Sequence, residues 1–199
     1  VVAIVTWIAV AGLPVGDYRT AVGEQRTVPL SDGSTVHLNT NTALSISMTE
    51  GARRLTLHRG EAFFTVAPDS SRPFEVTADH GVIRALGTAF NVRTERDHTT
   101  VTVAEHTVKV MLESDASMDI HAGERIQYHH NRWLGSVERT DMPRALAWQR
   151  HRLVFNNDPL PVVLAELARY RSGHLVFLRD HSLNELLVTG SFDTDRLDR

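Results

Sequence analysis

From Thr27 onward, apolar and polar positions alternate with a period of two residues. Val28 and Leu30, the polar stretch Ser31-Asp32-Gly33-Ser34, then Val36 and Leu38 predict a hairpin with its turn at Asp32-Gly33. The same alternation predicts strands at Leu44 to Met48, Leu55 to Leu57, Ala62 to Val66, Phe74 to Thr77, Val82 to Ala85, Ala89 to Thr94, Thr100 to Val103 and Thr107 to Leu112. Turn residues separate them at Glu50-Gly51, Arg59-Gly60, Pro68-Asp69-Ser70-Ser71, Asp79-His80-Gly81 and Ser114-Asp115. Short strands recurring about every 8–12 residues, without helical periodicity, predict an all-β sandwich or a solenoid-like stack.

Two further strands are expected at Glu124 to His129 and Trp133 to Val137, and the pattern changes at Asp141-Met142-Pro143. Beyond Trp148, Leu153-Val154-Phe155 reads as a strand and Asn156-Asn157-Asp158 as a turn. Leu160, Val163, Leu164, Leu167 and Tyr170 then recur at helical spacing. Asp158 is the expected N-cap, Pro159 and Pro161 suit a first turn, and Gly173 marks the end of the helix. Strands are expected again at His174 to Leu178 and Leu186 to Phe192. The chain as a whole is therefore expected to be mainly β: an all-β domain over 17–140, then a small α+β unit over 141–199.

Residues 1–16 (VVAIVTWIAVAGLPVG) carry no charge. A membrane span takes about 20 apolar residues, so this stretch reads as the outer end of a transmembrane helix that begins outside the sequence, with Pro14 and Gly16 at its exit. A signal-peptide core or a buried strand are the other readings, and neither a basic start nor a small-residue cleavage site favours the first of these. The initial residue, Val1, suggests a piece of a longer chain.

Composition narrows function. With 42% hydrophobic and 23% charged residues the chain is an ordinary globular one. A net charge of −3 supplies no basic excess for a phosphate backbone, so no nucleic acid is expected as a partner. The sequence contains no cysteine, which removes disulfides and thiolate metal sites.

Four segments, in order, resemble the FecR family of anti-sigma regulators. Val28 to Asn39 (VPLSDGSTVHLN) is similar to the family's opening of strand, Asp-Gly-Ser and strand ending in Leu-Asn. Arg53 to Val66 (RRLTLHRGEAFFTV) resembles its Gly-Glu-Ala-x-Phe-x-Val element. Arg72 to Val76 (RPFEV) and Ala85 to Val92 (ALGTAFNV) resemble its Arg-Pro-Phe-x-Val and Leu-Gly-Thr-x-Phe-x-Val strings. Trp148, Phe155, Pro159-Leu160, Val163-Leu164 and Tyr170 are similar to the carboxyl half of the family, a secretin/TonB short N-terminal-like module of βαβ type, here without its second half. The chain departs from the family at His151 and at Glu105-His106, where the family has glycine after the tryptophan and Glu-Gly; a turn with positive φ accommodates His less readily than Gly.

The resemblance implies the periplasmic part of a single-pass inner-membrane protein. A cytoplasmic segment outside this sequence would bind an extracytoplasmic-function sigma factor. The periplasmic portion would meet the signalling domain of a TonB-dependent outer-membrane receptor, with iron or siderophore uptake as the usual regulon. It also implies that some members cleave themselves at the Gly-Thr bond corresponding to Gly87-Thr88. The Thr88 hydroxyl is a weak nucleophile unless a base or backbone strain assists it; His80 and His106 are the candidate bases, and a glycine bend leading into an ordinary strand is the plainer reading.

The other chemistry is sparse. Of eleven histidines, His121, His129 and His130 are the densest group, but neighbours on a strand face opposite sides and surface roles are expected, with no metal and no cofactor. No Gly-x-Ser-x-Gly elbow, phosphate loop or dinucleotide fingerprint occurs, so no enzyme with turnover is expected. Leu186, Val188, Gly190 and Phe192 are the candidate partner-binding residues, on a strand that an incoming chain would extend. The alternative is a carbohydrate- or cell-wall-binding β-sandwich, which requires exposed aromatics; the chain has seven Phe, three Trp and three Tyr, most at core-like positions.

Overall fold

Period-two alternation places one face of each predicted strand against a common core, and the structure, a computed structural model, shows that arrangement. It describes residues 17–129, 133–173, 183 and 185–197. The first strands are β1 (Tyr18–Arg19), β2 (Arg26–Pro29), β3 (Thr35–Leu38), β4 (Ala43–Met48) and β5 (Arg53–Thr65). There follow β6 (Phe74–Ala78), β7 (Gly81–Ala85), β8 (Ala89–Thr94), β9 (His98–Glu105) and β10 (Thr107–Leu112). The body closes with β11 (Ser117–His121), β12 (Glu124–His129) and β13 (Glu138–Arg139). The chain is mainly β, as expected, with one curled sheet followed by a small α+β unit.

β5 joins the two halves of that sheet. Its first part pairs with β4 and, in parallel, with β6, which leads outward through β7 and β10 to β11. Its second part pairs with β3 and with β8, which continues through β9 and β12 to β13. The switch falls at Gly60, with φ +88°, where a Cβ would lie 2.4 Å from Thr42 Oγ1 and 2.6 Å from Thr42 Cα. Arg59-Gly60 is therefore not the turn expected from sequence. It is a bend inside a single 13-residue strand, and only glycine fits both the conformation and the space.

The halves close on one apolar core. β6 and β7 bury every second residue, including Phe74, Val76 and Ile83. Phe64, on the second half of β5, stacks on Phe90 at 5.1 Å and meets Phe74 edge-on at 6.1 Å. All three rings are fully buried, each worth about 2–3 kcal/mol of transfer free energy. Tyr128 on β12 crosses the core and donates its hydroxyl to the Ala78 carbonyl at 2.7 Å. Its ring lies where a Cβ on Gly81 would stand, 2.6 Å from Cζ.

Further differences from the sequence expectations have local causes. β11 was not expected, because only Ile120 of its five residues is buried and an edge strand shows no alternation. The expected strand at Trp133 to Val137 is reduced to a bridge between Leu134 and Tyr128. There the chain runs irregularly beside β12, with His129 N–H on the Trp133 carbonyl and Gly135 N–H on the Gln127 carbonyl. The expected strand at His174 to Leu178 and the stretch 1–16 lie outside the described residues.

The carboxyl unit contains α1 (Met142–Ala145), a 3-10 turn at Ala147–Arg150, β14 (Arg152–Pro159), α2 (Leu160–Ala168) and β15 (Leu187–Asp193). β14 and β15 pair antiparallel. Asn156-Asn157-Asp158 is a bulge within β14 instead of a turn, with Asn157 at φ +56°. Asp158 does not cap α2, which starts from Pro159 without a side-chain cap; its carboxylate instead takes both bonds from Arg144 Nη2, at 2.6 and 2.7 Å. α2 ends at Ala168, before Gly173, and Arg169, Tyr170 and Arg171 continue it with tighter i→i+3 bonds. Trp148, Leu153, Phe155, Val163 and Tyr170 form this unit's own core, with Phe63 of β5 packed against it.

Candidate functional site

The motif letters read from sequence converge in space. Leu38, Phe64 and Phe90 of β3, β5 and β8 face the core, so the alternate positions, among them Glu61, Phe63 and Asn91, point the other way, toward the carboxyl unit. Glu61, directly after the Gly60 bend, is 4% exposed. Its carboxylate accepts from Asn39 Nδ2 at 2.9 Å, Asn91 Nδ2 at 2.9 Å and Arg169 Nη2 at 2.8 Å. Asn39 also donates to the Tyr170 hydroxyl at 2.7 Å, and Arg169 pairs with Glu166 at 2.6 Å. Arg93 reaches Glu166 at 2.8 Å and also pairs with Glu95. Backbone contacts extend the seam: Thr40 Oγ1 donates to the Arg169 carbonyl at 3.0 Å and Gln25 Nε2 to the Trp148 carbonyl at 2.9 Å.

Burial alone would push the Glu61 carboxyl up, but the Arg169 and Arg93 guanidiniums outweigh it and hold the group below the usual carboxylate range. Arg169 responds in the opposite sense: burial works against its charge, Glu61 and Glu166 favour it, and the net shift is upward. Burial, then Glu61, also raises the Tyr170 hydroxyl. The seam is thus an ion-pair network, buried at Glu61 and partly open at its arginines, in which the Glu61 charge depends on Arg169 and Arg93. Sequence reading treated Asn39, Glu61 and Asn91 only as motif letters. Their signal was a polar or charged residue at strand positions next to core residues.

A groove of about 540 Å³ runs along the seam between β8, β9, β12 and the carboxyl unit, lined among others by Asn91, Arg93, Trp148, Phe155, Val162 and Glu166. Trp148 Nε1–H is buried there without a partner. Among the described residues no group of three or more histidine and acidic side chains is placed to hold a metal. His98, His129 and Trp133 form a stack of rings instead, at 5.8 and 5.4 Å.

Gly87 and Thr88 lie between β7 and β8. Gly87 has φ +108°, and a Cβ there would stand 3.0 Å from Pro68 Cα. The Thr88 carbonyl accepts from Val66 N–H at 2.9 Å. Thr88 is 5% exposed, and its Oγ1 is buried with no hydrogen-bond partner. Neither candidate base is therefore bonded to that hydroxyl: His80 pairs with Glu113 at 3.4 Å, and His106 occupies the β9–β10 turn at φ +62°. The arrangement is a positive-φ glycine preceding a desolvated hydroxyl that has lost water without gaining a partner.

The candidate partner residues do not share one surface. Val188 and Phe192 pack against the carboxyl core, Phe192 edge-on to Phe155 at 5.7 Å, and Gly190 pairs with Phe155 across the ladder. Leu186 is 51% exposed, and Leu187 and Val162 are also more than half exposed. His151, which stands where the family has glycine, adopts φ +56° and bonds Asp195 at 2.8 Å through Nδ1. Among the described residues no helix is long and apolar enough to cross a membrane, and the only aromatic among the large exposed apolar side chains is Trp133.

Comparison with known proteins follows this geometry. Residues 16–109 match the family model described as FecR protein. No curated protein matches the chain. A crystal structure of a candidate anti-sigma factor from Parabacteroides distasonis ATCC 8503 is similar at TM-score 0.75 and 28% identity, over 90% of this chain and 85% of that one. A second crystal structure with the same description is similar at TM-score 0.72 and 26% identity, over 89% and 84%. Both similarities extend well past residue 109 into the carboxyl unit, so the two-part architecture is shared and not only the segment that matches the family. Residues 16–109, which hold the Gly60 bend, Glu61 and the Gly87-Thr88 bond, are thus the part of this chain that is similar to the FecR protein family.

Proposed function

We propose that this chain is the periplasmic part of a transmembrane anti-sigma regulator, relaying a signal from a TonB-dependent outer-membrane receptor to an extracytoplasmic-function sigma factor in iron or siderophore uptake. The observation that supports this reading is the similarity to a structure described as a candidate anti-sigma factor over 90% of the chain, both units included. The stretch 1–16 is the membrane anchor in this reading, and the sigma factor is bound by a segment outside the sequence. The carboxyl unit meets the receptor through its exposed Leu186, Leu187 and Val162, where a partner strand or apolar face gains area and main-chain bonds. The carbohydrate-binding alternative would rest on one exposed aromatic among the large apolar side chains of the described residues, Trp133, and a sugar platform needs more than one.

Signalling proceeds by contact, not by turnover, with one self-directed step: scission at Gly87-Thr88. The nucleophile is the buried Thr88 hydroxyl and the bend is held by Pro68. The pieces stay together afterwards because β7 and β8 lie in different parts of the curled sheet, each paired to β6 or β5. Deleting the gene and measuring genome-wide transcription tests the regulatory reading: one coherent set of promoters changes if it holds, and none if it does not. Intact mass of the purified chain, with Thr88→Ala alongside, tests scission: two fragments in the parent and one chain in the variant are expected.

A further inference from the structure

We propose that Arg53 is a positioning residue for scission at Gly87-Thr88, acting through the loop of residues 67–72. The inference rests on the self-cleavage reading.

Arg53 opens β5, is 1% exposed, and spends its whole guanidinium on one loop and one turn. Nε donates to the Arg72 carbonyl at 2.8 Å, Nη1 to the Ala67 carbonyl at 2.9 Å and Nη2 to the Asp69 carbonyl at 3.3 Å. Nη1 also pairs with Asp32 Oδ2 at 3.0 Å. Asp32 in turn holds Ser34 Oγ at 2.7 Å, and that same oxygen accepts from Ala67 N–H at 2.9 Å. The far end of the loop is fastened by Asp69, whose carboxylate accepts from the N–H groups of Ser71 and Arg72.

Pro68 sits between Ala67 and Asp69, two of the three residues whose carbonyls Arg53 grips, and it is Pro68 that stands 3.0 Å from the missing Cβ of Gly87. Val66, one residue before Ala67, donates to the Thr88 carbonyl. The clamp therefore fixes the wall against which the scissile bend is pressed, on both the Gly87 side and the Thr88 side. A planar fork with five donors spans three carbonyls and a carboxylate; a lysine ammonium has three donors at one point and cannot span them. Arg53 touches neither Gly87 nor Thr88, so its effect runs through the loop.

The step positioned is attack of Thr88 Oγ on the Gly87 carbonyl carbon. A C–O ester bond forms, the C–N bond breaks, and the hydroxyl proton passes to the nitrogen, which becomes the Thr88 amine. Water then hydrolyses the ester to the Gly87 carboxylate and the free Thr88 hydroxyl. No other reactant is consumed. A shift of the wall by an ångström misaligns the hydroxyl and the carbonyl, a displacement that costs about 100-fold in well-oriented intramolecular reactions.

The test is a chase of newly synthesised full chain, with the two fragments followed by mass, for the parent, Arg53→Lys and Pro68→Ala, each assayed well below its own measured Tm. Arg53→Lys is expected to slow fragment formation by at least about tenfold, and Pro68→Ala by several-fold. Hydroxylamine, which speeds only the breakdown of an ester, is expected to leave the slow Arg53→Lys rate unchanged, because ester formation is the step impaired. Folded variants that cleave at the parental rate, or an Arg53→Lys rate restored by hydroxylamine, overturn the inference alone. Should Arg53→Lys fail to fold, Pro68→Ala, which keeps the clamp, decides by the same criterion. A parent that stays intact overturns the self-cleavage reading and this inference together.

Discussion

Replacing Arg169 by Met tests whether the seam between the β body and the carboxyl unit is an ionic latch. Methionine keeps an unbranched stem and deletes the bonds to Glu61 and Glu166, at 2.8 and 2.6 Å. Stripping one partner from a buried ion pair costs about 3–5 kcal/mol. Two features reduce that here: Arg169 is 20% exposed, and Arg93 still lies near enough to favour the Glu61 charge. A loss of about 2.5 kcal/mol remains, or roughly 5–10 °C in Tm for a chain of this size. Because Trp148 belongs to the carboxyl core and its carbonyl is part of the seam, its fluorescence should report undocking before far-UV circular dichroism reports loss of the β body. Urea titration read by both probes is the assay, with Glu61→Gln and the double variant closing a cycle whose coupling is at least about 1.5 kcal/mol. A loss below about 0.5 kcal/mol, coincident transitions and no coupling would together refute the latch.

Other expectations follow from single positions. Gly60→Ala forces a Cβ to 2.4 Å from Thr42 Oγ1 at φ +88° and is expected to cost upward of about 3 kcal/mol, or to prevent folding, with the soluble yield and urea midpoint as readouts; a near-parental midpoint would show that β5 does not switch partners there. His106→Gly relieves an exposed residue at φ +62° and should raise stability by about 1 kcal/mol in the same titration. Glu61 and Asp32 are both held below their ordinary values in the folded chain. Groups depressed on folding contribute stability above the unfolded-state pKa, about 4, and lose it as pH falls further. Burial, then His151, holds His37 below its ordinary value as well, so Tm is expected to decline slightly once pH falls below about 6.5 and more steeply below about pH 4, and the steeper fall should be shallower in Glu61→Gln.

Much of the β body was legible because its strands bury alternate residues, as β6, β7 and β10 do. Alternation reports a face, and the core is made of those faces. It does not report what a strand end meets. Arg59-Gly60 reads as a turn in any local window, and only the closeness of Thr42, in the connection between β3 and β4, shows that the chain continues. Asn156-Asn157-Asp158 likewise has turn chemistry, yet β15 holds it in the ladder as a bulge. β11 was missed because an edge strand with a single buried residue has no period to detect.

The candidate site was legible only in pieces. Gly87-Thr88 could be singled out only through the family resemblance, and glycine permits its positive φ without dictating it, while the unpartnered hydroxyl and the Pro68 wall are tertiary facts. The Glu61 network was invisible in the sequence because its partners are far along the chain: Arg169 is 108 residues from Glu61 and Tyr170 is 131 from Asn39. His106 and His151 stand where the sequence resemblance leads one to expect glycine, and both adopt a positive φ, +62° and +56°. The backbone shape there is imposed by the strands around it, not by the residue.

The most direct measurement is affinity capture of the product of the intact gene, with the membrane and cytoplasmic portions the proposed function assigns to it, from its native cells, followed by mass identification of what is retained. The account predicts one sigma factor of the extracytoplasmic-function class, recovered in near-stoichiometric amount and lost when the cytoplasmic segment is deleted. Recovery of no sigma factor under conditions that keep the protein intact in its membrane would contradict it.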